Sequence, residues 1–148
     1  MLRKHLGFAW KTLPSWLRQS IIRATQQSFT VSAAAIITNP KGEVLLLNHL
    51  LRPYSGWGLP GGFLNASEQP EEAIRRELRE ETGLELENLK MFSVRTIGRH
   101  LEILFRAEAS GEASVQSQEI LELGWFRTDE LPEGLPRSQK KVIGDLMR

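Results

Sequence analysis

The chain has no cysteine among its 148 residues. Disulfides, thiolate metal sites and a cysteine nucleophile are therefore excluded, and the composition fits a reducing, cytoplasmic setting. No apolar run approaches the roughly 20 residues that a membrane-spanning helix needs. Net charge is almost absent, +1 at pH 7, so bulk charge argues for no DNA or membrane partner. Acid is missing from the start of the chain. Six Lys and Arg fall between Met1 and Gly42, and the first acid is Glu43. The remainder holds 13 basic and 18 acidic side chains, a balance of −5.

What is present reads as one globular domain with a basic leader. Hydrophobic residues make up 41% and charged residues 25%, an ordinary proportion for a chain long enough to bury a core. In the leader, Leu2, Leu6, Ala9 and Trp10 repeat at helical spacing. Pro14 interrupts, and Trp16, Leu17, Ser20, Ile21 and Ala24 form a second stripe. Docking of this extension on the domain, or on a second subunit in a homodimer, is the preferred reading. Lying on a membrane surface and serving as a cleaved organelle address are the alternatives.

From Phe29 the pattern becomes strand-like. "FTVSAAAIIT" and "EVLLLNH" read as paired strands joined by a tight turn at Asn39 to Gly42. "YSGWGLPGGF" is too rich in Gly and Pro for regular structure except at its ends. "LKMFSVRTI" and "HLEILFRAEA" form a strand pair around Gly98, "GEASVQSQE" is a polar loop, and "LELGWFR" is a last strand. "TDEL" and Arg137 to Met147 read as closing helical turns. Strands with interspersed helices predict a mixed sheet covered by helices on both faces.

Pro70 to Thr82 is the clearest helix. Pro sits in its first turn, Glu71 and Glu72 favour its positive end, and Gly83 closes it. Within it, "RRELREETG" sets Glu77, Glu80 and Glu81 among Arg75, Arg76 and Arg79. With Glu77 at zero and about 100° per residue, Glu81 falls at about +40° and Glu80 at about −60°. Ala73 falls at about −40°, Ile74 at about +60° and Leu78 at about +100° on the same wheel. The three glutamates thus share an arc with the apolar residues. A solvated, ion-paired helix predicts outward carboxylates with a base four residues on, whereas the residue four after Glu77 is Glu81. Acids beside a core face need compensation by positive charge, and a hard divalent cation supplies it. Acidic helical clusters are nonetheless common, and the wheel alone leaves both readings open.

The stretch "GFLNASEQPEEAIRRELREETGL", Gly62 to Leu84, resembles the Nudix box, GX5EX7REUXEEXGU with U aliphatic. All nine specified positions match: Gly62, Glu68, Arg76, Glu77, Leu78, Glu80, Glu81, Gly83 and Leu84. The resemblance extends over roughly Phe29 to Met147. It implies an extension at residues 1–28 and a Nudix domain at residues 29–148. The implied fold is an α/β/α sandwich with a mixed sheet.

The resemblance also implies a chemistry: hydrolysis of a phosphoanhydride in a nucleoside diphosphate linked to another group. Mg²⁺ or Mn²⁺ is the implied cofactor, held by Glu77, Glu80, Glu81 and the Gly61 carbonyl. Glu77 or Glu80 could double as the base, and Glu119 is the candidate outside the box, with Glu122 second. Arg76 is expected to orient a glutamate and Glu68 to brace the loop. Arg52, Arg99, His100 and Arg106 are candidate phosphate contacts; Tyr54, Trp57 and Phe63 are candidates for stacking a base. Each has a plainer reading as a core, strand or surface residue. A nucleotide-sugar or ADP-ribose-like substrate is preferred. The alternatives are a nucleoside triphosphate or RNA cap, and a catalytically silent module that senses a nucleotide. Asn65 stands where many relatives carry an acid.

Overall fold

The structure is a computed structural model and describes residues 7–8, 10–52, 56–109 and 111–147. Leu2, Leu6, Ala9 and Tyr54 lie outside the described residues. The chain falls into two units, residues 1–30 and 31–148. In the first, helix α1 (Ser15–Thr25) begins directly after Pro14, whose carbonyl accepts from the N–H groups of Leu17 and Arg18. No described residue of α1 is buried, and Trp16 is 66% exposed.

The second unit is built on a seven-stranded sheet. Its strands are β1 (Thr30–Thr38), β2 (Val44–His49), β3 (Trp57–Gly58), β4 (Gly61–Phe63), β5 (Glu87–Ile97), β6 (His100–Glu108) and β7 (Ile120–Phe126). Helix α2 spans Pro70–Thr82 and α3 spans Arg137–Leu146. The main path runs β3-β2-β1-β6-β5, with β4 also on β1 and β7 also on β2. β1 pairs antiparallel with β2 and β4, and β5 pairs antiparallel with β6. β1 and β6 run the same way, because Ser32 meets His100 at one end and Thr38 meets Ala107 and Ala109 at the other. The sheet is therefore mixed.

Alternation along β1 explains how both faces fill. Ala33, Ala35 and Ile37 join Leu45 and Leu47 under α2, which contributes Ala73, Ile74 and Leu78. Ala34 and Ile36 join Val44 and Leu46 on the other face, where α3 contributes Ile143. Leu78 and Ile143 are wholly buried. Truncating such a residue to Ala costs about 2–5 kcal/mol, so each helix is pinned mainly by a few apolar side chains.

Local chemistry sets the connections. Asn39 Oδ1 accepts from the N–H groups of Lys41 and Glu43, and Gly42 takes φ 75°, closing the β1–β2 turn. At the start of α2 the Gln69 N–H donates to Glu72, and at its end Gly83 adopts the left-handed conformation. Two local expectations fail. The Gly-rich run contains strand at Trp57–Gly58 as well as at Gly61–Phe63, since both find sheet partners that sequence alone does not reveal. "TDEL" forms turns and not helix. Among the described residues, no helix is long and apolar enough to cross a membrane.

Candidate active site

Helix α2 divides its acids unequally. The Glu81 side chain is only 8% exposed and that of Glu77 18%, whereas Glu80 is 59% exposed. Glu80 lies at the outer edge of the arc, where it approaches Arg76 at 3.4 Å. The structure therefore brings Glu77 and Glu81 together and leaves Glu80 toward solvent. Arg76 ties the helix to the loop before it. It donates to Glu77 at 2.8 Å, to both oxygens of Glu68 at 2.7 and 3.0 Å, and to the Phe63 carbonyl at 3.2 Å. Glu68 also accepts from the Asn65 N–H. The Arg76 guanidinium, aided by that N–H, holds the Glu68 carboxyl down to about 2.

The two glycines of β4 bring the main chain up to this face. A Cβ on Gly62 would lie 2.3 Å from the Glu77 carboxylate, so only glycine admits that approach. Gly61 has φ 144°, a conformation side chains resist. Hydrogen-bonded pairs alternate along an antiparallel ladder. Ala35 donates to the Pro60 carbonyl and Leu64 to that of Val31, which places Ala33 opposite Gly62 in the hydrogen-bonded set. Gly61 falls between, so its N–H and carbonyl point away from β1.

Glu81 is the electrostatic centre. Burial, then the neighbouring charge of Glu77, pushes its carboxyl up to about 8. Arg52 and the Gly61 N–H oppose that rise without cancelling it, and Glu119 adds to it. Glu81 Oε2 is buried without a hydrogen-bond partner. His49 Nδ1 stands 3.8 Å from Oε1. Burial, then Arg52, lowers His49 to about 4, so the imidazole is neutral at neutral pH and this contact is not an ion pair. Its Nε2 is also buried and unpartnered.

These groups open on a cleft of about 630 Å³. Of the residues predicted from sequence, Gly61, Arg76, Glu77, Glu81, Arg52 and Glu119 line it, together with Trp57 and Phe63. Glu119 arrives there because the polar loop lies along the end of α2, with the Gln116 N–H donating to the Glu81 carbonyl. The Glu119 carbonyl in turn accepts from Leu50. Trp57 packs edge-on against Phe126, while Phe63 is 64% exposed and edge-on to His100. His100 touches two of the lining residues, Phe63 edge-on and Ser32 Oγ at 2.9 Å.

Other candidates lie apart. Arg99 is exposed in the β5–β6 turn, and Glu122 is exposed beside Asn48. Arg106 lines a second hollow, with Lys90. The sequence reading missed His49, Glu102 and Gln139, which also line the cleft. They come from β2, β6 and α3, and no local motif joins them.

A divalent cation fits this chemistry. Two carboxylates crowd together, one with an orphaned buried oxygen, beside a main-chain carbonyl free of its strand partner. Among the described residues, no three His, Asp or Glu side chains converge as a ready-made cage. Mg²⁺ does not require one, since it commonly takes one or two carboxylates and completes its shell with water and phosphate oxygens.

A family model described as NUDIX domain matches residues 28–146. The chain belongs to the Nudix family. It is 33% identical over 107 residues to a "MutT-like protein" of Streptomyces ambofaciens, covering 70% of this chain and 68% of that one. It is 34% identical over 93 residues to the NAD-capped RNA hydrolase NudC of Citrobacter koseri, covering 61% of this chain but only 36% of NudC. Among solved structures, the MutT Nudix hydrolase of Burkholderia pseudomallei superposes with TM-score 0.70 at 31% identity, covering 80% of this chain and 98% of that one. This Nudix protein is a pyrophosphohydrolase by family, and Nudix hydrolases generally use divalent metals.

Proposed function

We propose that this Nudix enzyme uses Mg²⁺ or Mn²⁺ to hydrolyse the phosphoanhydride of a nucleoside diphosphate linked to another group. The observation that carries the proposal is Glu81, a buried carboxyl with an unpartnered oxygen, in the wall of the cleft and under the charge of Glu77. A carboxylate there is unfavourable until a cation neutralises it.

Glu77, Glu81 and the Gly61 carbonyl would hold the ion, and Glu80 would join by rotating its side chain away from Arg76. When bound, such an ion neutralises diphosphate charge and makes water a better nucleophile. Glu119 lines the cleft and is within electrostatic reach of Glu81, which supports the reading that it would take the proton released as water attacks phosphorus. Arg76 keeps Glu77 in place and links it to the Gly62–Glu68 loop. Phe63 and Trp57 offer aromatic surface in the wall of the cleft, where a base would stack.

NAD is itself a nucleoside diphosphate joined to a second nucleoside, so the NAD cap named for the NudC relative falls in the proposed class. The decisive experiment assays ADP-ribose, a nucleotide sugar, NAD, NAD-capped RNA and nucleoside triphosphates with Mg²⁺ and with Mn²⁺, identifying products by mass. Cleavage between the phosphates of the diphosphate compounds is expected. Exclusive use of triphosphates would replace the substrate class. Nucleotide binding without product, with either metal, would reveal a silent sensor.

A further inference from the structure

The segment that delivers Gly61 to the cleft is gripped by two side chains that the proposed chemistry leaves unused. The Leu59 N–H donates to Oε1 of Gln139 at 2.9 Å. The Leu59 carbonyl accepts from Nη2 of Arg52 at 3.1 Å. Gln139 belongs to the first turn of α3, while Arg52 follows the end of β2. The two side chains meet over Gly58. A Cβ there would lie 1.5 Å from Arg52 Nη1 and 3.3 Å from Gln139 Oε1. The Leu59 side chain itself is 1% exposed.

This grip answers a physical need. Residues 58–62 include three glycines, and β3 and β4 are only two and three residues long. Glycine carries the largest backbone freedom of any residue, so such a segment would wander without outside restraint. Each unmade hydrogen bond of a buried main-chain group would also cost about 1–3 kcal/mol. Gln139 and Arg52 satisfy Leu59 on both sides, and Ala35 satisfies the Pro60 carbonyl at 3.1 Å. The next residue, Gly61, falls between the hydrogen-bonded pairs with β1 and lines the cleft, where its N–H reaches Glu81.

We infer that Gln139 and Arg52 are positioning residues: by fixing both main-chain groups of Leu59 they aim the Gly61 carbonyl and thereby set the affinity of the site for its cation. This deepens the proposed function and rests on its reading of Gly61 as a ligand. It also makes α3, which supplies none of the box acids, a determinant of metal binding.

The test uses the full chain. Gln139→Met removes the acceptor without adding charge, Gln139→Glu restores an acceptor oxygen, and Arg52→Met removes the opposite bond. Amide hydrogen exchange is measured without metal, and Mn²⁺ affinity is measured by calorimetry without substrate. In Gln139→Met, exchange should quicken at Leu59 and spread to Gly61 and Gly62, while the core of α2 keeps its protection. Mn²⁺ affinity should fall about 10-fold, the usual scale for losing a residue that orients a ligand. Gln139→Glu should restore slow exchange at Leu59. Should Gln139→Met fail to fold, Arg52→Met is expected to show the same spread of exchange to Gly61 and Gly62, and Arg52→Lys, which keeps the positive charge beside Glu81, the same loss of Mn²⁺ affinity. Faster exchange confined to Leu59, with Mn²⁺ affinity unchanged, would overturn the inference and leave the proposed function standing. Absence of Mn²⁺ binding in the wild type would sink both.

Discussion

Glu77 lies so close above Gly62 that the smallest side chain at position 62 would collide with its carboxylate at 2.3 Å. The obstructing atoms are the far end of a flexible side chain, so the collision can be relieved by moving Glu77. Gly62→Ala should therefore fold almost normally yet lose about 10–100-fold in turnover, the range for disturbing how a metal ligand is held. Thermal melting and steady-state kinetics on the same preparation check this. A variant with wild-type kcat would show that Glu77 can move without consequence.

Glu81 gives the opposite combination of effects on stability and activity. Without metal, its buried carboxyl gains nothing from charge and is pushed up to about 8 by burial and Glu77. Glu81→Gln keeps the shape and removes the charge. The metal-free variant should melt no lower than wild type. Added Mg²⁺ should raise the wild-type Tm and leave the variant's unchanged, because only the wild type offers a site that binds the ion in the folded state alone. Turnover should fall about 100-fold or more. A metal-induced Tm increase of equal size in both proteins would remove Glu81 from the ligand set.

The box helix was legible from sequence because each of its signals is local. Pro70, Glu72 and Gly83 act within a turn of themselves, and Ala73, Ile74 and Leu78 define the buried stripe. The wheel separated Glu77 and Glu81 from solvent for the same reason. It grouped Glu80 with them, because angle alone does not say how far the sheet reaches beneath the arc; in the structure Glu80 turns outward toward Arg76, 3.4 Å away. His49, Glu102 and Gln139 were illegible for a different reason. They stand on three elements that meet only when the sheet is assembled. The pairing of Trp57–Gly58 with β2 is equally a product of that assembly, and the Gly content of the segment argued against it.

Glu68 provides a pH test. Arg76 and the Asn65 N–H hold its carboxyl at about 2 in the folded protein against 4.5 ordinarily. Between those values the unfolded chain binds more protons than the folded one, so stability rises with pH there. The contribution is complete above about 4.5 and fades as pH falls toward 2. Glu68→Gln should therefore melt lower than wild type at neutral pH, with the gap closing across that acid window. A gap that stays constant into acid would mean that the Glu68 charge contributes nothing to stability.

Ser67 sits in the same loop with φ 66°, in the left-handed region where a side chain is strained. Such a conformation costs a non-glycine residue about 1–2 kcal/mol, and a β-branched residue suffers most. Ser67→Gly should leave stability unchanged or raise it slightly, and Ser67→Val should lower it by about 1–2 kcal/mol. Denaturant unfolding of the three proteins orders them. A Val variant as stable as wild type would mean that the loop relaxes to another conformation.

The basic extension should govern association and not chemistry. Helix α1 has no buried described residue, and it holds Trp16, Ile21 and Ile22 exposed beside Arg18 and Arg23. Every described residue that lines the cleft belongs to the unit that begins at Val31. An exposed apolar stripe that carries only positive charge is suited to covering a surface of a second copy, whose body carries the balance of −5. Removing residues 1–27 should therefore shift the elution volume toward a smaller particle by more than the deleted mass accounts for. The kcat on the preferred substrate should stay within about twofold, since no described residue of the extension lines the cleft. Truncated protein that elutes as expected for the lost mass alone and has lost turnover would show instead that the extension completes the active site.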